Sequence, residues 1–398
     1  MNPYVARKLI RKYGEKSGNL LDPFCGSGTT LVEAGLFGLS ADGFDLNPVA
    51  RLISRVKTQP YDIDELTDFV NRLIEGVHTI ELNEWSDAVR DSGFTSDNIR
   101  TWFPDKSVQE ISTYLQLIDD IDAIDESYRK FAKVALSDCL RGVSIQRNNE
   151  WKNYRKEGWR DENINTNYRP LGPQLEKKLK SNLEGIKNAN FMHSCSADYI
   201  RRNIRIYDTN SVNETDFPGS PDCGYDLVVT SPPYGDSRTT VAYAEFSWMT
   251  NVWLGMDQRT PGRLGKELMG GVFAKEVEKF GHPAIDSSIS KMDHDTAIKN
   301  FSFYRDYLQS IQNIAQNIRH GGVACFVVGN RTSGGQLMRM DLFTRWALEK
   351  NGFQRIGKIK NRRISNSRMP MKVSPSGRKG VVSQSMNYEF IITCRKKD

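Results

Sequence analysis

The sequence lacks any apolar run that approaches the roughly 20 residues needed for a membrane-spanning helix. Its N-terminus also lacks the apolar core and the cleavage site of a secretion signal. The six cysteines form no CxxC pair and have no histidine partner at metal-ligand spacing, so neither a zinc site nor a disulfide framework is predicted. We therefore expect a soluble, cytoplasmic protein with reduced thiols and no bound metal.

Acidic and basic residues are unevenly distributed along the chain: basic residues are scarce in one long stretch, and acidic residues are outnumbered in two others. Residues 62–126 hold 17 acidic and only 4 basic side chains, whereas residues 127–213 hold 17 basic and 9 acidic ones. The final stretch, 353–398, has 12 basic and 2 acidic residues. A polyanion is repelled by the first stretch and attracted by the other two, so the distribution predicts where such a partner binds.

The order of local patterns near the N-terminus indicates an α/β fold. A short apolar strand from Asn19 runs into a glycine-rich turn, and a helix follows over residues 29–37. A second strand covers residues 40–45, and Asn47-Pro48 opens another helix. Strand, glycine turn, helix, strand and helix in this order predict a doubly wound, mostly parallel sheet.

The remaining patterns set the predicted domain boundaries. Helical periodicity replaces the α/β pattern between residues 62 and 187, which indicates a mainly helical insertion. Two late strands, 355–364 and 388–393, predict a C-terminal antiparallel hairpin. We predict a catalytic domain formed by residues 1–61 and 196–398, with the insertion at 62–195.

The glycine-rich turn at residues 22–30 is predicted to hold a ligand at the carboxyl edge of the sheet. It has neither the Lys-Ser/Thr ending of a P-loop nor the third glycine of the dinucleotide fingerprint, so a pyrophosphate is not the expected ligand group. Asp45 ends the second strand, where its two oxygens are placed to accept hydrogen bonds from ribose hydroxyls. The alternative is that Asp45 only caps the helix that opens at Pro48.

These segments resemble motifs of the DNA amino-methyltransferases. Leu21–Thr30 is similar to their cofactor motif, and Phe44–Pro48 is similar to the ribose-binding motif that follows it. The resemblance implies S-adenosylmethionine as the methyl donor, with Asp22 at its amino-acid end and Asp45 at its ribose. The other predicted cofactor contacts in the turn are Phe24, Cys25, Gly26, Ser27, Gly28 and Thr29. Asp208, after a predicted strand, is a candidate for the adenine amino group, with an ordinary turn residue as the equal alternative.

A second motif, Ser231-Pro232-Pro233-Tyr234, follows the predicted strand 225–230 and resembles the catalytic tetrapeptide of the same family. The lone pair of an exocyclic amine is delocalised into the ring, so methylation requires acceptors for the amino hydrogens. Proline provides no N–H, which leaves the Ser231 hydroxyl and the Pro232 carbonyl as predicted acceptors. Tyr234 offers an aromatic face for a flipped-out base. By itself, a Pro-Pro turn is more often an ordinary rigid loop.

The resemblance implies a site-specific DNA methyltransferase of a restriction-modification system, with double-stranded DNA and a cognate restriction endonuclease as partners. Serine in first place favours cytosine N4 as the target, and adenine N6 stays open. No Pro-Cys is present, which argues against the covalent mechanism of cytosine C5 methylation. Two rival hypotheses are an RNA guanine-N2 methyltransferase and an inactive DNA-binding specificity component.

Two basic segments are the candidate DNA contacts. In the insertion, which the order of the two motifs indicates as the target-recognition region, cations alternate with aromatics; the predicted contacts are Arg147, Trp151, Arg155, Lys156 and Arg160. In the family a late hairpin walls the target pocket, which implies Arg362, Arg363 and Arg368. The alternative for the first segment is a solvated helical face with a few core aromatics.

Overall fold

The computed structural model of the chain describes residues 1–15, 17–91, 93–94, 96–122, 125–147, 152–158, 161–192, 203–235, 242–257, 261–364, 372–373, 383–384 and 388–398. The chain divides into two compact units. The sheet unit comprises Met1–Leu46, Asn203–Val241 and Gly262–Asp398, and the helical unit comprises Asn47–Arg202 and Ala242–Pro261. The predicted insertion at 62–195 lies inside the helical unit, which also takes in residues 47–61 and a second, short segment.

The strands form one large sheet and two small hairpins. In chain order they are β1 Asn19–Asp22, β2 Ser40–Phe44, β3 Ile204–Tyr207, β4 Tyr225–Thr230, β5 Ile318–Gly329, β6 Arg331–Ser333, β7 Gln336–Met338, β8 Phe353–Arg355, β9 Lys360–Arg363, β10 Lys372–Val373, β11 Ser383–Gln384 and β12 Tyr388–Lys396. The large sheet has the order β3-β2-β1-β4-β5-β12-β8, and β9 also pairs with β12.

The large sheet is parallel from β3 to β5 and antiparallel at its far end. Strand β12 pairs antiparallel with β5 on one side and with β8 and β9 on the other. The predicted fold class, a doubly wound and mostly parallel sheet with a C-terminal antiparallel hairpin, is confirmed. The expected single strand at 355–364 is wrong in detail: Gly357 adopts φ +86°, which ends one strand and separates β8 from β9.

The helices, again in chain order, are α1 Pro3–Tyr13, α2 Thr29–Phe37, α3 Pro48–Thr58, α4 Ile63–Thr79, α5 Trp85–Asp91, α6 Ser96–Arg100, α7 Asp105–Asp120, α8 Glu126–Val143, α9 Gly172–Met192, α10 Tyr243–Trp253, α11 Pro261–Glu267, α12 Pro283–Ile289, α13 His294–Gln316 and α14 Met340–Lys350, with a 3₁₀ helix at Asp161–Asn167. Their ends follow local signals: the backbone N–H of Gly38, at φ +87°, closes the last turn of α2.

The core of the sheet unit lies on both faces of the large sheet. Successive side chains of a strand point to opposite faces, and accordingly Leu20 and Leu21 of β1 belong to different buried clusters. The cluster around Leu20 includes residues of α1 and α2, and the cluster around Leu21 includes residues of α13 and α14. Helices on both faces explain why β4 is almost continuously apolar and buried.

The helical unit has a core of its own. Buried side chains from α4, α7, α8 and α9 pack together with Leu52 and Val56 of α3 and with Met249, Val252 and Trp253 of α10. This shared core is the reason that residues 47–61 and 242–261 belong to the same unit as the predicted insertion.

A charged N-cap supports α4, because Asp62 accepts hydrogen bonds from the backbone N–H groups of Asp64 and Glu65, both at 3.0 Å.

Three further observations concern the described residues alone. Their cysteines are free thiols, of which Cys25, Cys139, Cys325 and Cys394 are buried. No three His, Cys, Asp or Glu side chains among them come together in a way that could hold a metal ion. No helix among them combines the length and the apolar character that crossing a membrane requires.

Candidate active site

The two sequence motifs follow neighbouring parallel strands. Strand β1 pairs with β4 through Leu20 with Leu227 and Leu21 with Val228. From this pair the strand order runs to β2 and β3 on one side and to β5 on the other, which makes it the topological switch point of the sheet. Ligands of doubly wound sheets bind outside the carboxyl ends of the strands at such a point. The glycine turn after β1 and the tetrapeptide after β4 therefore leave the sheet at the edge where such folds bind ligands.

A buried carboxylate joins the ends of these two strands. Asp22 is only 2% exposed, and its Oδ1 accepts hydrogen bonds from the Thr230 hydroxyl at 2.6 Å and the Phe24 N–H at 3.2 Å. Burial raises the pKa of the Asp22 carboxyl, and the bond from Thr230 opposes that shift in part. Because Thr230 immediately precedes Ser231, this contact couples the two loops. The implied contact of Asp22 with the amino-acid end of the methyl donor stays a prediction.

The glycine turn presents its backbone to open space. Gly26 has φ +51°, and a Cβ built on it would meet no atom within 4 Å. Its N–H donates to Asp45 Oδ2 at 3.0 Å. Gly28, at φ +76°, precedes the first turn of α2. Glycine is needed at both positions for conformation, and at Gly26 the missing side chain also lets a ligand approach the backbone closely.

The glycine turn packs against strand β2. The Cys25 N–H donates to the Phe44 carbonyl at 3.0 Å. A Cβ on Gly43 would come within 2.5 Å of Leu31 Cδ1 and 3.0 Å of Cys25 Sγ, so the turn packs directly on the strand backbone there. The sequence analysis missed Gly43, although a glycine inside a strand is a recognised sign of close approach. Cys25 is 6% exposed and lies on this packed side of the turn.

Asp45 contacts the glycine turn through Gly26, and another residue occupies the N-cap position of the following helix. The N-cap of α3 is Asn47, whose side chain accepts the Val49 N–H at 3.2 Å, with Pro48 in the first turn. Asp208, which is exposed, follows β3 as Asp45 follows β2, and these two strands pair in parallel through Phe44 and Tyr207. Both acids thus lie at the same edge as the glycine turn, together with Ser27 and Thr29, which are half-buried.

The tetrapeptide is connected to the C-terminal strands by hydrogen bonds. The hydroxyls of Ser231 and Tyr234 lie 3.0 Å apart, and the Tyr234 hydroxyl donates to Glu389 Oε1 at 3.2 Å. Arg362 donates to Glu389 Oε2 from Nη2 at 2.5 Å and from Nε at 3.2 Å. Pro232 is buried, while Ser231, Pro233 and Tyr234 are partly exposed. Sequence analysis missed Glu389; its one signal is that it is an acid in a strongly basic tail.

Known methyltransferases share these sequence segments. The family model described as UPF0020, RMKL-like, methyltransferase domain, matches residues 1–73, which contain the glycine turn and Asp45. The type II methyltransferase M.MvaI of Kocuria varians is 29% identical over 412 residues, covering 98% of this chain and 88% of that protein. The chain is therefore similar to S-adenosylmethionine-dependent DNA methyltransferases. The predicted relationship to the DNA methyltransferases is confirmed, without a distinction between the cytosine-N4 and adenine-N6 subtypes.

Two further similarities are to a tRNA methyltransferase and to a solved structure. The tRNA (guanine(10)-N2)-dimethyltransferase of Methanothermobacter thermautotrophicus is 37% identical over 90 residues, which are 22% of this chain and 26% of that protein. The crystal structure of TrmN from Thermus thermophilus aligns with all of this chain and 49% of its own, at 10% identity and a TM-score of 0.34.

The residues at the sheet edge of this methyltransferase fit S-adenosylmethionine, which is the methyl donor. A nucleoside with a short zwitterionic tail needs a close backbone approach and an acceptor for its hydroxyls, and it needs no phosphate cradle. Gly26 allows the close backbone approach, because the position of its absent Cβ is open. Asp45, bonded to the Gly26 N–H, is the acceptor for the hydroxyls. When bound, S-adenosylmethionine supplies a methyl group on a positively charged sulfur.

Several predicted DNA contacts of the methyltransferase are engaged within the helical unit. Arg147 donates to Glu157 Oε1 at 3.1 Å and to the Arg155 carbonyl at 3.1 Å. Lys156 donates from Nζ to the Ser144 carbonyl at 3.0 Å, and burial lowers its pKa. Arg155 is half-buried. Arg147 and Lys156 are therefore held in place by hydrogen bonds within the unit, and the contact of all three cations with DNA stays a prediction.

Of the contacts predicted at the C-terminal hairpin, Arg362 and Arg363 are described by the structure. Arg363 is exposed on β9, whereas its neighbour Arg362 is bound to Glu389. Trp151, Arg160 and Arg368 lie outside the described residues.

Proposed function

We propose that this methyltransferase transfers a methyl group from S-adenosylmethionine to the exocyclic amino group of a flipped-out base in duplex DNA, with N4 of cytosine the favoured target. One observation carries the proposal: the Ser231–Tyr234 turn leaves the sheet beside the glycine turn, and the Asp22–Thr230 hydrogen bond joins them. This neighbourhood supports the proposal, because the groups that we assign as acceptors for the amino group follow the strand next to the one that leads into the turn assigned to the methyl donor.

The chemistry assigned to the turn is hydrogen-bond acceptance. The target nitrogen forms a bond to the methyl carbon and later loses one proton, so its lone pair must be drawn out of conjugation with the ring. Acceptors that hold its two hydrogens favour that geometry, and the Ser231 hydroxyl and the Pro232 carbonyl are the groups assigned. Tyr234, packed against the core of the sheet unit and partly exposed, supplies the face on which the extruded base stacks.

The choice of DNA over RNA as the proposed substrate rests on how much of the chain aligns with each relative. The type II methyltransferase relative aligns over nearly the whole chain, whereas the tRNA guanine-N2 relative aligns over 22% of it. The RNA hypothesis remains the second candidate because of that second similarity. A catalytically inactive specificity component is disfavoured because Gly26, Asp45 and the complete tetrapeptide are all retained. Within DNA, serine in first place favours cytosine N4 over adenine N6.

For the rest of the complex, we assign target recognition to the insertion at 62–195 and the surrounding helical unit. Arg147, Arg155, Lys156 and Arg363 are the described residues that we assign to DNA contacts, and a restriction endonuclease of the same specificity is the proposed genetic partner. Phosphate contacts by such cations position the duplex, and base contacts define the site.

Transfer of tritium-labelled methyl groups tests the proposal directly. We expect label from S-adenosylmethionine to enter duplex DNA and not tRNA. Sequencing that reads N4-methylcytosine and N6-methyladenine separately, on DNA from cells expressing the chain, is expected to find N4-methylcytosine at one short sequence. Label found in tRNA alone would show that the substrate is RNA and not DNA. N6-methyladenine in the sequenced DNA would show that the target base is adenine and not cytosine.

The assigned basic segment makes a separate prediction about salt. Changing Arg155, Lys156 and Arg160 to glutamine together is expected to weaken DNA binding and reduce the slope of log affinity against log salt by about 0.9 for each phosphate that the variant no longer neutralises. Fluorescence anisotropy with labelled duplex at several salt concentrations measures that slope. The control changes three cations of α9 in the same unit, Lys177, Lys180 and Lys187, and is expected to preserve the slope. An unchanged slope in the first variant would remove this segment from the interface.

A further inference from the structure

A line of four polar side chains runs from the tetrapeptide to the C-terminal hairpin. Ser231 contacts Tyr234, Tyr234 contacts Glu389, and Glu389 contacts Arg362. Glu389 on β12 lies directly opposite Arg362 on β9 in the strand register, so the pair is fixed by the hairpin itself. Their side chains are 15% and 33% exposed, respectively, which distinguishes them from a freely solvated ion pair.

The chemistry of Arg362 and Glu389 determines the direction of the hydrogen bonds along the line. A guanidinium only donates and a carboxylate only accepts, so the Tyr234 hydroxyl must donate its hydrogen to Glu389. The tyrosine oxygen is then an acceptor, and the Ser231 hydrogen can point to it across 3.0 Å. With its hydrogen used in this way, the lone pairs of Ser231 remain to accept hydrogens from an amino group.

We infer that Glu389, held by Arg362, is a positioning residue that acts through Tyr234 to orient the Ser231 hydroxyl as an acceptor for the target amino group. The inference rests on the proposed function, because it assigns the acceptor geometry of that reaction. It also gives Arg362 a position within the sheet unit that does not depend on contact with DNA.

Replacing Glu389 with glutamine tests the direction of the hydrogen bonds. Arg362 only donates, so it takes the glutamine oxygen, and the amide NH₂ then faces Tyr234. The Tyr234 oxygen must then accept a hydrogen from the amide, and the Tyr234 hydroxyl turns its own hydrogen toward Ser231. That hydrogen occupies a lone pair of the Ser231 hydroxyl that the target amino group would otherwise use. We expect kcat to fall about tenfold, the effect of one misdirected hydrogen bond, while KM for S-adenosylmethionine stays within about twofold. Steady-state kinetics on duplex DNA measure both.

A double variant separates positioning from a merely structural effect. Tyr234→Phe keeps the aromatic face and removes the hydroxyl through which Glu389 acts. Adding Glu389→Gln to Tyr234→Phe is therefore expected to cause no further loss of kcat. Glu389→Asp retains a carboxylate and is expected to keep more activity than Glu389→Gln. The matched control is Glu349→Gln on α14, whose partner Arg345 lies at 3.5 Å, and it is expected to leave kcat unchanged.

Each outcome has a distinct meaning. Wild-type protein that binds S-adenosylmethionine and labels no DNA would refute the proposed function. Active wild-type protein with an equally active Glu389→Gln variant would overturn the inference alone, as would losses from Glu389→Gln and Tyr234→Phe that simply add. A Glu389→Gln variant that no longer binds S-adenosylmethionine in a calorimeter would show that the residue supports the fold instead.

Discussion

Ser231→Ala is expected to lower kcat for methyl transfer by about 10²- to 10³-fold, the loss seen when one preorganised polar group at a reacting centre is removed. In the proposed function the Ser231 hydroxyl accepts an amino hydrogen as the nitrogen lone pair is drawn toward the methyl carbon, so its contribution arises mainly in the transition state. The Asp22–Thr230 bond and the glycine turn do not involve the Ser231 side chain. Affinity for S-adenosylmethionine, measured by calorimetry, is therefore expected to stay within about threefold of wild type.

Tyr234→Ala extends the same prediction. It removes the aromatic face as well as the hydroxyl, so it is expected to cost at least as much in kcat as Ser231→Ala, and more than Tyr234→Phe. Ser287→Ala, an exposed serine on α12 in the same unit, is the control and should leave kcat unchanged. Equal losses of cofactor affinity in the Ser231 and Tyr234 variants would show that the chemistry has been assigned to the wrong loop.

Asp45→Ala is expected to weaken S-adenosylmethionine binding about 10²-fold. The carboxylate does two things at once: Oδ2 holds the Gly26 N–H at 3.0 Å, and the group as a whole is assigned to the ribose hydroxyls. Hydrogen bonds to a charged group are stronger than those between neutral partners, so the loss of both exceeds that of one ordinary contact. Titration calorimetry of the free protein with S-adenosylmethionine measures the change without any nucleic acid.

Asp45→Asn separates those two contributions. Asparagine keeps one oxygen for the Gly26 N–H but replaces the other acceptor by a donor, so we expect a smaller loss, about tenfold. Asp216→Asn, an exposed acid in the same unit, is the matched control and should bind normally. Wild-type affinity in Asp45→Ala would place the ribose somewhere else in the site.

Much of the frame and part of the site could be predicted because their signals are local. Strand β4 and helix α2 have the predicted bounds, since glycine and proline conformations and apolar runs act over a few residues. The glycine turn and Asp45 follow consecutive strands, and in the structure the Gly26 N–H donates to Asp45 Oδ2; their binding of a nucleoside stays a prediction. Asn47-Pro48 likewise opens α3 as expected.

The sequence by itself therefore determined the doubly wound frame and the two motif-bearing loops at the carboxyl edge of its sheet. Only the tertiary structure decided which distant residues meet there: Asp22 bonds Thr230 across 208 positions, and Tyr234 bonds Glu389 across 155. It also decided that residues 47–61 and 242–261 share the core of the helical unit. Such contacts depend on strand order and on the packing of whole elements, which no pattern of neighbouring residues specifies.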